Sequence, residues 1–159
     1  MSYETVSKRL KDILDRIENV FNVHTYFRDI PDETEFQKAF SISTPDGNLL
    51  TAWMMTRNSL DSDRPGVDAQ SILDVTHKIE VQGFYGLEDS KQSELKFQEI
   101  IDNIMAKFKT KFLLEDASGS ALPGVIMVSE VTIPEIGHGQ FSNYFVHFCR
   151  VLISVKERL

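Results

Sequence analysis

The residues able to do chemistry in this chain are few and scattered. Its four histidines are His24, His77, His138 and His147, and no HxxxH or CxxC spacing sets two metal ligands side by side. Two of them can still converge in space. The local sequence reads His77 and His147 as strand residues, and His138, between two glycines in "EIGHGQ", as a solvated turn residue. Asp61 and Asp63 come nearest to a carboxylate pair, but acid–base work of the glycosidase kind needs a protected cleft, and these two stand in a hydrophilic segment. "ASGSALPG" lacks the lysine and spacing of a phosphate loop, and no GxSxG elbow occurs. The single cysteine, Cys149, lies in an apolar run, which leaves no intrachain disulfide and points to a buried, inert thiol. The expectation is therefore a protein that is not an enzyme, with no catalytic residue, no cofactor and no stoichiometric metal.

Composition narrows the partners. The chain has 159 residues, enough for one domain to bury a substantial core, and its 42% hydrophobic and 26% charged residues are ordinary for a globular protein. A net charge of -7, from 24 acids against 17 bases, sets up a field that repels phosphate backbones and anionic lipid, so no direct nucleic-acid recognition is expected. The start "MSYETVSKRLKDILDRIENV" has charges throughout and lacks the apolar stretch of a signal peptide, and no apolar run approaches the roughly 20 residues that cross a bilayer. A soluble protein of a reducing compartment, without a membrane partner, is the expectation.

The elements that would position any site are easier to read. Val6, Leu10, Ile13, Leu14 and Ile17 recur at helical spacing and predict an amphipathic helix over 3–19. "FNVHTYFR" has strand composition, and "DETEFQKAF" offers Asp32 as an N-cap and Phe36 with Phe40 on one side of a short helix. After the turn "TPDGN", the run "LLTAWMMT" (49–56) is apolar on both alternating faces, as for a strand covered by helices on one side and by something else, such as another subunit, on the other. Residues 57–74, with Asp61, Asp63, Arg64 and Asp68, read as a long mobile loop. Alternation over 75–82 predicts a half-buried strand, and Phe97, Ile100, Ile101, Ile104, Met105 and Phe108 form the stripe of the main helix, capped by Ser90 or Asp89. The chain closes with a strand at 125–133, a turn region holding "EIGHGQ", and an unusually long strand at 143–157.

The expected fold is a single α+β domain over 1–159, in the order α-β-(α)-β-β-α-β-β. A mainly antiparallel sheet of about four to five strands packs against two main helices. Phe84, Tyr85 and Trp53 are explained by core packing, with interface contact as the alternative. The doubly apolar strand and the long closing strand mark Trp53, Met55, Val151 and Leu152 as candidate subunit-interface residues, because apolar faces and unpaired backbone groups are what neighbouring subunits use.

Several stretches carry a resemblance. "HKIEVQGFYGLEDSKQSELKFQEIIDNIMAKF" (77–108) combines an H-x-I-x-I-like strand, a G-aromatic-aromatic-G-L turn followed by an acid, and an S-E-x-x-F-x-x-x-I-x-x-I helix. "LLTAWMMTR" ends W-x-x-x-R, and "YFVHFCRVLISVKE" has a V-H-x-x-x-V-x-L-like alternation. Together with the element order, these resemble the tail terminator or tail-completion (minor tail) proteins of long-tailed bacteriophages. The resemblance implies a non-enzymatic structural protein of the virion tail or neck, assembled in the bacterial host cytoplasm. It implies a homo-oligomeric ring, commonly a hexamer, that caps the tail tube, ends tube polymerisation and offers a head-joining surface. Its partners would be further copies of itself, the tail-tube protein and a head–tail connector protein. The matching positions look like core, so no individual binding residue carries over. The alternatives are another phage neck or head-completion protein, a cytoplasmic ligand-binding α+β module with a hydrophobic groove, and an enzyme built from spatially assembled histidine and carboxylate residues.

Overall fold

The computed structural model describes residues 2–64, 73–110, 118, 120 and 127–158. Helix α1, Tyr3–Asp15, starts where the Ser2 hydroxyl accepts the Thr5 N–H at 3.2 Å, and it buries Val6, Leu10, Ile13 and Leu14. It stops earlier than the periodicity implied. Ile17 and Val20 remain in the core, but single turns carry them, and Asn19 takes a left-handed φ of 64°. The expected strand in 21–28 shrinks to β1, Val23–His24. Helix α2, Glu33–Phe40, begins at the expected Asp32 cap, whose carboxylate accepts the Glu35 N–H at 2.9 Å.

Two long hairpins make the sheet. Strand β2, Ser41–Thr44, turns through Pro45 and Asp46 into β3, Gly47–Asp63, which pairs antiparallel with β4, Asp74–Gly86. A short 3-10 turn at Asp89–Lys91 and a left-handed Gln92 (φ 55°) then deliver α3, Ser93–Thr110, so the helix starts after Ser90 and Asp89 and neither caps it. Strands β5, Met127–Phe141, and β6, Tyr144–Arg158, close the chain. The strand order is β1-β3-β4-β6-β5, with β2 also on β3; β1 is parallel to β3 and the other pairings are antiparallel. This is an α+β fold with a six-stranded sheet.

Three expectations are corrected by the pairing. Residues 57–63 and 74, read as loop, belong to β3 and β4: Asp61 pairs with Thr76 and Asp63 with Asp74. Arg64 follows the strand, and Asp68 lies outside the described residues. The turn of the last hairpin is Ser142–Asn143, with Ser142 at φ 54°, so "EIGHGQ" is strand and the two arms are equal at 15 residues each. Pro134 is tolerated because β5 is an edge strand and its register slips between Thr132 and Glu135. Finally, β6 lies inside the sheet, paired along its length with β4 on one side and β5 on the other, and has no spare backbone edge.

The double apolarity of β3 is satisfied within the chain. Trp53 and Met55 face α1 and α3 in the larger core, while Leu50, Ala52 and Met54 face Phe36, Ala39 and Phe40 of α2. Trp53, Met55 and Val151 are 1%, 0% and 1% exposed, so they are core residues with no surface to give a neighbour. Leu152, on the opposite face of β6 from Val151, is half-buried. Gly83, paired with Trp53, has a packing reason: a Cβ there would stand 2.2 Å from the indole.

Candidate functional site

The last hairpin brings two histidines together. Counting back three steps on each arm from the Phe141–Tyr144 pair puts His138 opposite His147, and both side chains lie on the α1/α3 face of the sheet. Helix α3 starts beside them, because β4 ends at Gly86, one residue after Tyr85 pairs with His147, and the short 3-10 turn leads directly into the helix. Its first residue, Ser93, is 3% exposed; its Oγ accepts the Glu88 N–H at 2.8 Å and lies 2.8 Å from His147 Nε2. Its second residue, Glu94, brings Oε2 to 3.0 Å from His138 Nε2 and 3.1 Å from His147 Nδ1, while Gln98, one turn along, donates to Oε1 at 3.0 Å.

His147 is the buried member, 3% exposed, stacked on Phe97 at 5.8 Å between ring centres and tilted against His138 at 5.2 Å. Burial lowers its pKa; the Glu94 carboxylate opposes that shift and His138 adds to it. The Glu94 carboxyl is held below its ordinary range by the Gln98 and then the His138 hydrogen bonds. His147 Nδ1 is close to Glu94 Oε2 but out of line for a hydrogen bond, so this buried nitrogen has none. Ser93, His147 and Glu94 thus follow one another in the order of a nucleophile, base and acid. The buried Ser93 hydroxyl closes the turn before α3, however, and offers a substrate no approach. The donor set of Glu94, His138 and His147, with ligand atoms within 4.8 Å of one another, instead has the make-up of a metal-binding group.

Sequence spacing did not reveal this cluster, since its members come from a helix start and two strand positions. The available signal was the turn: a two-residue turn at 142–143 would have aligned the histidines, whereas a turn placed in "EIGHGQ" separates them. The other two histidines stay apart from it. His24 lies 2.7 Å from the Ala39 carbonyl through Nε2, and His77 pairs inside the core with Glu157 at 3.2 Å. Cys149 is fully buried, and burial pushes its thiol up to about 12.

The other sheet face has a second notable surface. Beyond the end covered by α2, it carries charges in rows: Arg150 between Glu80 and Glu135, Arg158 on Asp74 at 2.8 and 3.1 Å, and Lys78 on Asp61 at 3.3 Å. Among these rows, Asn58, Lys78, Thr132 and Leu152 border a shallow cavity of about 230 Å³. The two flanks of this surface are sheet edges, one formed by β5 and the other by β3 beyond its Trp53–Met54 pairing with β1. No helix among the described residues is long and apolar enough to cross a membrane.

Among known proteins, no family model matches this chain and no curated protein matches it.

Proposed function

We propose that this protein is a non-enzymatic assembly subunit that forms a ring and acts as a phage tail terminator. It caps the tail tube, ends its polymerisation and offers the surface on which a head–tail connector docks. The observation that carries this reading is the pair of long sheet edges beside a partly uncovered face, together with the sequence resemblance. An edge strand of 15 residues, β5, presents backbone donors and acceptors that a copy of the chain can pair. The outer half of β3 offers the second, different edge that a head-to-tail ring needs. Contacts move accordingly from Trp53, Met55 and Val151 to the β5 edge, Leu152 and the exposed part of β3.

The experiment has two stages. Sedimentation of the purified protein, alone and with tail-tube protein, is expected to show a closed oligomer that Thr132→Lys, a charge on the exposed β5 edge, disperses without unfolding the subunit. In a phage lacking the protein, tails are expected to grow to uncontrolled length and to fail to join heads. Tails of normal length that join heads would remove the terminator reading.

A further inference from the structure

We propose that Glu94, His138 and His147 bind one divalent transition-metal ion of the zinc class, which clasps the first turn of α3 to the β5–β6 hairpin and leaves one coordination position open to solvent. The inference is independent of the assembly role.

The donor set comes first. Two imidazoles and one carboxylate suit zinc and its neighbours, whereas calcium and magnesium sites are built from oxygen. Spacing comes second. Ligands about 2.1 Å from a tetrahedral ion stand roughly 3.4 Å from one another. The Glu94 oxygen lies 3.0 Å from His138 Nε2 and 3.1 Å from His147 Nδ1, and all three donors fall within 4.8 Å, so small side-chain rotations admit the ion.

The third observation is the buried nitrogen. His147 Nδ1 is shielded from water, makes no hydrogen bond and lies 3.1 Å from the Glu94 oxygen. A buried polar atom left without a partner is destabilising, and a metal bond would use it. The surroundings suit that use. If Nε2–H of His147 donates to Ser93 Oγ, Nδ1 presents its lone pair, and the hydroxyl has a second lone pair for the Glu88 N–H. Ser93 behind His147 and Gln98 behind Glu94 then hold the ligands in place from outside the coordination sphere.

Access comes last. The side chains of Glu94 and His138 are 50% and 62% exposed, so the ion enters from the surface and the fourth position meets water. Three protein ligands and one open position form a site that can hold a water or accept a donor from another molecule.

The test uses tag-free, chelator-treated full-length protein titrated with zinc chloride by calorimetry and with cobalt(II) by visible absorption. The expected result is one ion per chain, the absorption bands of four-coordinate cobalt, and a raised thermal midpoint, since the ion binds the folded state. His138→Gln keeps the fold, checked by circular dichroism, because His138 is exposed on an edge strand. It is expected to lower affinity by at least about tenfold, and Ser93→Ala, which removes the support of His147 together with the acceptor of the Glu88 N–H, by about 10–100-fold in protein whose fold is checked in the same way. No stoichiometric uptake of either ion by folded wild-type protein overturns the proposal. So does uptake that His138→Gln and Glu94→Gln leave unchanged.

Discussion

The sheet face that α2 packs against has two halves built from the same strands. At one end, Phe36 and Phe40 of α2 meet Leu50, Ala52, Met54 and Val146, and Phe84 stacks on Phe141 at 4.2 Å. At the other, alternate residues of the same β4 and β6 are Asp74, Lys78, Glu80, Arg150, Lys156 and Arg158, paired across the strands. The composition changes where α2 ends. An eight-residue helix contributes two phenylalanine rings, enough to dry one end of the face. Where no helix lies, the sheet stays solvated and holds its strands together with cross-strand charge pairs.

The largest way to break this contrast is at the covered end. Phe40→Ala removes a ring that is 0% exposed and is expected to lower stability by about 3–5 kcal/mol in urea unfolding. A change below 1 kcal/mol would mean that α2 is not a structural cover. Next comes Gly83→Ala, on the opposite face, where the new methyl collides with the buried Trp53 ring. A loss of about 1–3 kcal/mol is expected, because the indole has no free space to move into.

Acid should act on the covered end too. Burial lowers the His24 pKa from its ordinary 6.5; the hydrogen bond to the Ala39 carbonyl opposes this shift, and Arg28 and Lys11 add to it. The unfolded chain therefore takes up this proton first. The contribution of His24 is complete above pH 6.5 and is lost as pH falls through 6.5 toward the folded value. An NMR titration of the His24 ring should show protonation below 6.5, and a midpoint at or above 6.5 would refute the assignment. The smallest effect belongs to the open half. Thr132→Lys is expected to change stability by no more than about 0.5 kcal/mol, since the site is exposed, while abolishing self-association. A large loss of stability there would show that the edge is part of the subunit's own packing.

Reading the sequence worked where the signal was local and periodic. The stripes of α1 and α3, the Asp32 cap and the alternation of β4 all depend on neighbours within a turn or two. Residues 57–63 misled because a strand that is solvated on both faces has no apolar alternation, and only pairing with β4 makes it a strand. Pro134, Gly137 and Gly139 hid the second half of β5, which reads as a turn region after the expected strand at 125–133. The edge tolerates the proline, and both glycines lie in extended strand beside the Phe148 ring, where a Cβ would make ordinary contacts at 3.4–3.5 Å, so neither marks a turn. The double apolarity of 49–56 was legible, but which partner covers it was not, since a neighbouring subunit and α2 demand the same residues.

By itself the sequence determined the α+β class, the helices and their faces, and a buried thiol at Cys149, because burial periodicity is written every two or every three to four residues. Tertiary structure alone decided that α2 covers the second face of β3, that β6 is interior and β5 an edge, and that Glu94, His138 and His147 meet. Each of these depends on where a turn falls. A shift of one residue in a hairpin turns every side chain to the opposite face, so the position of the Ser142–Asn143 turn decides whether two histidines share a site.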